Sequence, residues 1–361
     1  MNRYAHITGW GMAVPDKVMT NLDLMEIVDT NDEWIVSRTG IRERRIATPD
    51  QTTASLATQA ALNALEVANM LPADVDMIVV ATSSPEHIFP ATACIVQDRL
   101  GAAKAGAFDL LAACTGFIFA LNIASQAIRS GSIDNALVIG AETLSKIVNW
   151  QDRETCILFG DGAGAFVLQG NDEPGGQLSS VMRSDGSGGD YLSLPAGGSR
   201  YPTNSDTIKN GYHYIHMNGR EVFRFATRVM AQATKEAIQA AELTMEDIDL
   251  VIPHQANRRI IEAAARGLNI PIEKFKINLD RYGNTSTASI PIAVCEAVEE
   301  GLLKPDDKVV FVGFGAGLTW GAAVAQWNGP IPSKRRISPQ RYRFWARIRS
   351  FLLRLLRLLD W

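Results

Sequence analysis

Three residues in this sequence could together do chemistry at a thioester. Cys114 stands in Phe108-Asp109-Leu110-Leu111-Ala112-Ala113-Cys114-Thr115-Gly116-Phe117, where an apolar run ends in small residues. Helical spacing then resumes from Phe117 to Ile128, which predicts a strand-to-helix turn with Cys114 at the helix start. There the helix dipole favours thiolate and lowers the thiol pKa, and free backbone N–H groups can hold an oxyanion. Taken alone, Cys114 also fits a buried structural thiol. His254 follows the apolar run 248–252 and Pro253, so it lies at a strand end, where α/β folds place ligands. A loop histidine bonded to backbone is the plainer alternative. Asn284 lies in Arg281-Tyr282-Gly283-Asn284-Thr285-Ser286, and Gly-Asn is also an ordinary turn pair. A nucleophile, an imidazole and an amide donor at one centre would suit acyl transfer through a thioester.

The elements that must position these residues come as a repeat. Residues 52–80 and 222–252 share one plan, alanines and leucines at helical spacing leading into an apolar, β-branched run. Asp74-Val75-Asp76-Met77-Ile78 matches Asp247-Ile248-Asp249-Leu250-Val251, and Leu137-Val138-Ile139-Gly140 matches Val310-Phe311-Val312-Gly313, both 173 residues apart. The expected organisation is a duplicated α/β unit, 1–171 and 172–327, followed by a tail, 328–361. Runs 77–81, 136–140, 165–169, 248–252 and 308–313 read as buried strands flanked by helices. Asn284 falls nearly where Cys114 falls in the first unit, so a pseudo-twofold would bring Cys114, His254 and Asn284 together. Residues 185–213, dense in Gly, Ser, Asn and Pro, read as a long functional loop.

The glycine clusters are not nucleotide loops. Gly160-Asp161-Gly162-Ala163-Gly164 leads into Phe166-Val167-Leu168, a strand rather than the helix a dinucleotide fingerprint requires. Both it and 313–317 read as tight turns where backbone approaches a substrate or another chain.

Composition bounds the function. The chain has 361 residues, 47% hydrophobic, with formal net charge −4, an ordinary globular composition large enough for an extensive core. Its four cysteines form no CxxC pair and its five histidines no HxxxH or HExxH spacing, so no metal site is expected. Residues 328–361 hold nine Lys/Arg against one acid, leaving 26 basic and 38 acidic residues in the body. An acidic body argues against nucleic acid as partner. No apolar h-region opens the chain and no run of eighteen apolar residues occurs, so a reducing cytoplasm is the expected setting.

In its ordered motifs the sequence resembles the thiolase-fold condensing enzymes, and within them β-ketoacyl-(acyl carrier protein) synthase III. The motifs are Asp32-Glu33-Trp34-Ile35 with Arg38-Thr39-Gly40-Ile41-Arg42, Ala112-Ala113-Cys114, Phe159-Gly160-Asp161-Gly162-Ala163-Gly164, Pro253-His254-Gln255-Ala256-Asn257, Gly283-Asn284-Thr285-Ser286 and Thr319-Trp320-Gly321. The resemblance covers about 1–327 and implies a five-layered, internally duplicated αβαβα fold and a homodimer. It implies that Cys114 takes an acyl group from acyl-CoA, without metal or cofactor. His254 and Asn284 would hydrogen-bond the malonyl thioester oxygen of malonyl-acyl carrier protein during decarboxylation. Backbone N–H groups of Cys114 and Ala316 would form the oxyanion hole.

The same resemblance implies CoA contacts at Trp34, Arg38, Arg153 and Asn257, with Trp34 and Arg153 stacking on the adenine. It implies carrier-protein contacts at Gln255, Ala256, Asn257, Arg258, Arg259, Arg224 and Arg266, and it places Phe89 in the partner subunit's acyl pocket. Thiolases carry a second cysteine where Gly313-Phe314-Gly315-Ala316-Gly317 has none, and elongating synthases a second histidine where Asn284 stands, so the initiating enzyme is the expected subclass. Ala316 and Glu154 depart from glycines found in some members. A synthase of specialised metabolism and a non-catalytic scaffold are the alternatives; retention of Cys114, His254 and Asn284 argues against the scaffold.

The tail lies outside this resemblance. Along 341–361, Arg343, Arg347, Ser350, Arg354 and Arg357 fall on one helical face and Phe344, Ile348, Phe351, Leu352, Leu355 and Leu359 on the other. A basic amphipathic helix lying in a membrane interface is expected, with packing on the acidic body as the alternative.

Overall fold

The computed structural model describes residues 3–330 together with Ser338, Arg341, Tyr342, Phe344, Trp345 and Ile348. Apart from those positions, the helix expected over 341–361 lies outside the described residues. The strands are β1 (Tyr4–Ala13), β2 (Val18–Thr20), β3 (Glu43–Arg45), β4 (Met77–Ala81), β5 (Gly106–Leu110), β6 (Asn135–Thr143), β7 (Asp161–Asn171), β8 (Gly176–Ser184), β9 (Leu192–Ser193), β10 (His216–Met217), β11 (Leu250–Pro253), β12 (Lys308–Gly315) and β13 (Thr319–Gln326). The helices are α1 (Asn21–Met25), α2 (Asp32–Thr39), α3 (Thr53–Val67), α4 (Thr92–Leu100), α5 (Gly116–Arg129), α6 (Ser205–Lys209), α7 (Gly219–Ala240), α8 (Arg258–Leu268), α9 (Leu279–Tyr282) and α10 (Ser289–Glu299).

Two sheets repeat one topology. The first has the order β1-β7-β6-β4-β5 and the second β8-β13-β12-β11. In each, the first three strands are antiparallel and the next joins in parallel. A parallel bridge between Val251 and Phe275 stands where β5 stands in the first sheet. The 173-residue offset holds at element starts: Met77 and Leu250, Asn135 and Lys308, the 3-10 turns at Ala113 and Ser286, and the helices at Gly116 and Ser289. The counterpart of Cys114 is therefore Thr287, and Asn284 answers to Leu111, three residues from the mirrored position expected.

Five layers follow from which faces are apolar. β12 sends Val309 and Phe311 to one core and Val310 and Val312 to another, the period-two alternation of a strand buried on both faces. α5 and α10 lie in the central core between the sheets, with Phe117, Leu121, Ile290 and Val294 buried. A helix between two sheets must be apolar nearly all round, and α5 has nine buried positions of fourteen. α3 and α4 cover the outer face of the first sheet, and α7 and α8 that of the second.

Two expectations change. Residues 161–171 are straight strand rather than a tight turn, and the backbone their glycines approach belongs to this chain. A Cβ at Gly164 would lie 3.0 Å from the backbone nitrogen of Ile292 on α10. Residues 185–213 carry a 3-10 turn (Gly186–Tyr191), β9 and α6 rather than continuous loop.

Candidate active site

Cys114 lies in a 3-10 turn, Ala113–Thr115, between β5 and α5. Ala113 sits at φ 46°, a left-handed conformation costly for alanine that turns the chain sharply beneath the helix. Thr319 Oγ1 ties the turn to β13 through Thr115 Oγ1 (2.8 Å) and the Ala112 carbonyl (3.1 Å). The end of β12 passes so close that a Cβ at Gly315 would meet the Cys114 nitrogen at 2.8 Å, so only glycine fits there. The thiol does not have the lowered pKa expected of a helix start. Burial pushes it up to about 12, a hydrogen bond with Ser286 opposes that rise, and the charge of Glu142 adds to it. At rest Cys114 is a thiol.

His254 follows β11 directly. Pro253 is the last residue of that strand, on its edge side, rather than a stop beyond it, and the His254 N–H continues the pairing to Val312 O at 2.7 Å. The imidazole is buried, and burial depresses its pKa to about 3, so the ring is neutral. Ser289 Oγ lies 2.7 Å from Nδ1 and 2.8 Å from the Ser286 carbonyl. A carbonyl only accepts, so the Ser289 proton goes there and Nδ1–H donates to Ser289. Nε2 is left with its lone pair and has no partner among the described residues.

Asn284 enters from the loop after α9. Its N–H donates to Leu158 O (2.8 Å) and its carbonyl accepts from Gly160 N–H (3.0 Å). Ser286 N–H donates to Oδ1 at 2.8 Å, which leaves the side-chain NH2 as the free group. Behind it, Glu296 accepts from Tyr282 Oη (2.7 Å), Asn278 Nδ2 (2.8 Å) and Arg281 (2.8 Å), fixing α9 against α10.

Two cavities meet at Cys114. One, about 90 Å³, touches Cys114, His254 and Asn284 together, with Phe314, Val222 and Phe223 around them. The other, about 450 Å³, is mostly apolar and is lined by Leu111, Leu144, Ile147, Leu194 and Ile215 beside Ser286 and Ala316. Leu192 and Leu194 bring the 185–213 segment to its wall.

The remaining expected positions fall as follows. Arg153 stacks over the half-buried Trp34 ring, 5.6 Å from its centroid. Arg38 is exposed, and its carbonyl accepts from Asn257 Nδ2 at 2.9 Å. Asn257 also caps α8, its Oδ1 accepting from Arg259 N–H. Arg224 on α7 and Arg258, Arg259 and Arg266 on α8 lie on packed neighbouring helices. Arg258 pairs with Glu262 and Arg224 with Glu221, and Arg259 stacks on Phe223, which lines the small cavity. Gln255 is no surface contact. It is 1% exposed, its Nε2 donates to the Pro253 and Lys276 carbonyls, and its Oε1 accepts from Asn278 N–H. Its amide clamps the end of β11 and so holds His254. Ala256 lines the small cavity from a half-buried position. Phe89 is 84% exposed, near Ile88 at 77%. In the sequence Ser286 enters only as the last residue of the Gly283-Asn284-Thr285-Ser286 motif, Ser289 has no signal beyond the Ser- and Thr-rich turn after Asn284, and Glu142 has none.

Comparison with known proteins agrees with this geometry. Residues 108–186 match the family model for 3-oxoacyl-(acyl-carrier-protein) synthase III, and 238–327 match the model for its C-terminal part. The chain is 55% identical over 324 residues to a beta-ketoacyl-(acyl-carrier-protein) synthase III of Caldanaerobacter subterraneus, covering 90% of this chain and 98% of that one. It is 52% identical over 328 residues to the enzyme of the same name from Roseiflexus, covering 91% and 100%. The crystal structure of 3-oxoacyl-(acyl-carrier-protein) synthase III from Aquifex aeolicus superposes with TM-score 0.83 at 48% identity, covering 90% of this chain and all of that one. With the five-layered fold and the Cys/His/Asn centre already in view, these matches make the chain a member of the 3-oxoacyl-(acyl-carrier-protein) synthase III family, the acyltransferases that perform the initiating condensation of fatty acid synthesis.

Proposed function

We propose that Cys114 carries the acyl group and that His254 and Asn284 generate the carbon nucleophile that condenses with it. The reading rests on one observation above all, the 90 Å³ cavity that Cys114, His254 and Asn284 share. As Cys114 sulfur attacks the carbonyl of a short acyl-CoA, its proton passes to His254 Nε2. The tetrahedral oxyanion is held by the N–H groups of Cys114 and Ala316. Collapse breaks the bond to CoA sulfur, and the departing thiolate takes the proton back. Malonyl-acyl carrier protein then enters. Its carboxylate carbon–carbon bond breaks, carbon dioxide leaves, and the electron pair becomes an enolate whose oxygen accepts from the Asn284 NH2. Ser289 can turn its proton towards Nδ1, which places the ring proton on Nε2 and lets His254 donate as well. The enolate carbon attacks the acyl carbonyl, the bond to Cys114 sulfur breaks and 3-oxoacyl-carrier protein departs; the Cys114 thiolate regains its proton from solvent by way of His254, the one proton the overall condensation consumes. Intact-mass measurement over a panel of acyl-CoAs tests the loading step and reads the primer length directly.

Trp34 and Arg153 are set to part and take the CoA adenine between them, with Arg38 and Asn257 beside it. Ala256, Asn257 and the four arginines, Arg224, Arg258, Arg259 and Arg266, form the face offered to the acidic carrier protein. Arg259→Glu should raise KM for malonyl-carrier protein roughly tenfold and leave that for acyl-CoA nearly unchanged, with the gap closing as salt rises. An equal rise for both substrates would move Arg259 to a CoA contact. A homodimer, with exposed Phe89 of each subunit reaching the partner's acyl pocket, completes the site. The catalytic body divides into 1–171, which supplies Cys114, and 172–327, which supplies His254 and Asn284.

The tail beyond the body tethers the enzyme to an anionic membrane surface while leaving condensation to the body. The family match ends at residue 327, and no described helix is long and apolar enough to cross a membrane. Each basic residue near an anionic surface adds about 1 kcal/mol. Truncation belongs after Pro330, since Asn328 Oδ1 accepts from Gly176 N–H at 2.9 Å. The truncated protein should keep its activity and lose co-sedimentation with anionic vesicles. Loss of activity or of dimer on truncation would make the tail a packing element instead.

A further inference from the structure

Glu142 on β6 is fully buried, and every partner it has is a donor. Oε2 accepts from Ser84 Oγ (2.6 Å), Ser84 N (3.1 Å), Ser83 N (3.1 Å) and Thr82 Oγ1 (3.3 Å). Oε1 accepts from Ser83 N and Thr287 Oγ1, both at 3.1 Å. Ser84 Oγ itself accepts from Thr143 N–H, so its own proton is free for the carboxylate. Among the described residues no cation forms a salt bridge with Glu142. A buried charge without a counterion is costly, so burial raises the Glu142 pKa, and the surrounding donors oppose that rise.

The offset of 173 explains its place. Thr287 is the counterpart of Cys114, Ala81 that of His254, and Glu142 that of Gly315. Beside Cys114 the chain must keep Gly315 bare. At the twin position Glu142 fills the space, and the single Thr287 hydroxyl proton is shared between the Ala81 carbonyl (2.9 Å) and Glu142 Oε1 (3.1 Å). The carboxylate thus joins the loop after β4, in the first half, to the Ser286–Thr287 turn in the second. Ser286, held at φ 48°, lines the acyl cavity beside Cys114 and lies within hydrogen-bond reach of both Cys114 and Glu142.

We propose that Glu142 is a positioning residue for the nucleophile, locking Ser286 and Thr287 of one half against the Cys114 turn of the other. This rests on the reading of Cys114 as the acyl carrier. Ionised Glu142 also opposes thiolate at Cys114, adding to the larger effect of burial. The titratable groups facing Cys114 are Glu142 from β6 and His254 after β11. Its other neighbours, Gly315 of β12, Thr319 of β13, Gly116 of α5 and the Ser286 turn, carry none.

The test uses the full chain and two variants, Glu142→Gln and Thr287→Val. Glu142→Gln keeps the shape but turns one acceptor into a donor facing donors. Acetyl-CoA loading of Cys114, followed by intact mass, should slow between about tenfold and 10²-fold. Iodoacetamide alkylation of Cys114 should shift to lower pH in Glu142→Gln, because the opposing charge is gone. Thr287→Val keeps the charge, so it should slow loading while leaving the alkylation profile in place. Wild-type loading with an unchanged alkylation profile in Glu142→Gln would overturn the proposal. If Glu142→Gln does not fold, Thr287→Val decides: undiminished loading there refutes the link between halves. Should wild type itself load somewhere other than Cys114, the nucleophile assignment fails, an outcome distinct from either variant result.

Discussion

Cys114→Ala should take up no acyl mass from acetyl-CoA, where the unaltered protein gains one acyl group. Condensation should vanish with it, because no other thiol shares the geometry. Cys114 stands at the junction of the two cavities, with a helix start beneath it and His254 across the smaller one. Cys156 is buried in the apolar cluster with Leu24, Ile35 and Ile157. Burial pushes its thiol up to about 11, and it lines neither cavity at Cys114. Cys295 is buried on α10, and Cys94 is exposed away from the site. Persistent labelling in Cys114→Ala would move the nucleophile, and peptide mapping would show whether Cys94 or Cys156 had taken it.

Asn284→Ala should cut carbon dioxide release from malonyl-carrier protein by roughly 10²–10³, the usual cost of removing one preorganised donor. Acylation of Cys114 should survive. With its oxygen held by Ser286 N–H, Asn284 can only donate, so it has no part in taking the thiol proton. His254→Ala should behave differently and slow both steps, since among the described residues Nε2 is the only unpartnered base facing the thiol. Separate single-turnover measurements of loading and of carbon dioxide release distinguish the two. If Asn284→Ala loses loading as deeply as it loses decarboxylation, the division of labour is wrong. If His254→Ala loads at the wild-type rate, the base is some other group. The neutral imidazole, with its pKa near 3, predicts that wild-type loading shows no inflection at the ordinary histidine pKa.

Much of the layout could be read in the chain before any coordinates. The runs 77–81, 136–140 and 308–313 are continuous and apolar because both faces of each sheet are covered, so burial writes itself into every residue of the strand. The turn at Cys114 was legible because small residues between an apolar run and a helical pattern have few other uses. The 173-residue offset survived in matched strands for the same reason, since the two sheets demand the same side chains at the same steps. The motifs that led to the family were local as well.

What escaped the chain was everything that depends on a distant partner. Gln255 reads as a polar residue beside a catalytic histidine, yet carbonyls at 253 and 276 bury its amide. The glycines at 160–164 read as a turn, yet they clear a path for α10 and the Asn284 loop along β7. The helix start at Cys114 argued for thiolate, but desolvation by elements two hundred residues away outweighs the dipole. Glu142 follows the apolar run of β6 with nothing nearby in the sequence to mark it. Its donors stand about 60 residues before it and 145 after it. Periodicity and turn chemistry are set by neighbours within a few residues, whereas protonation, hydrogen-bond pairing and the meeting of Cys114 with His254 and Asn284 exist only once the two halves have packed.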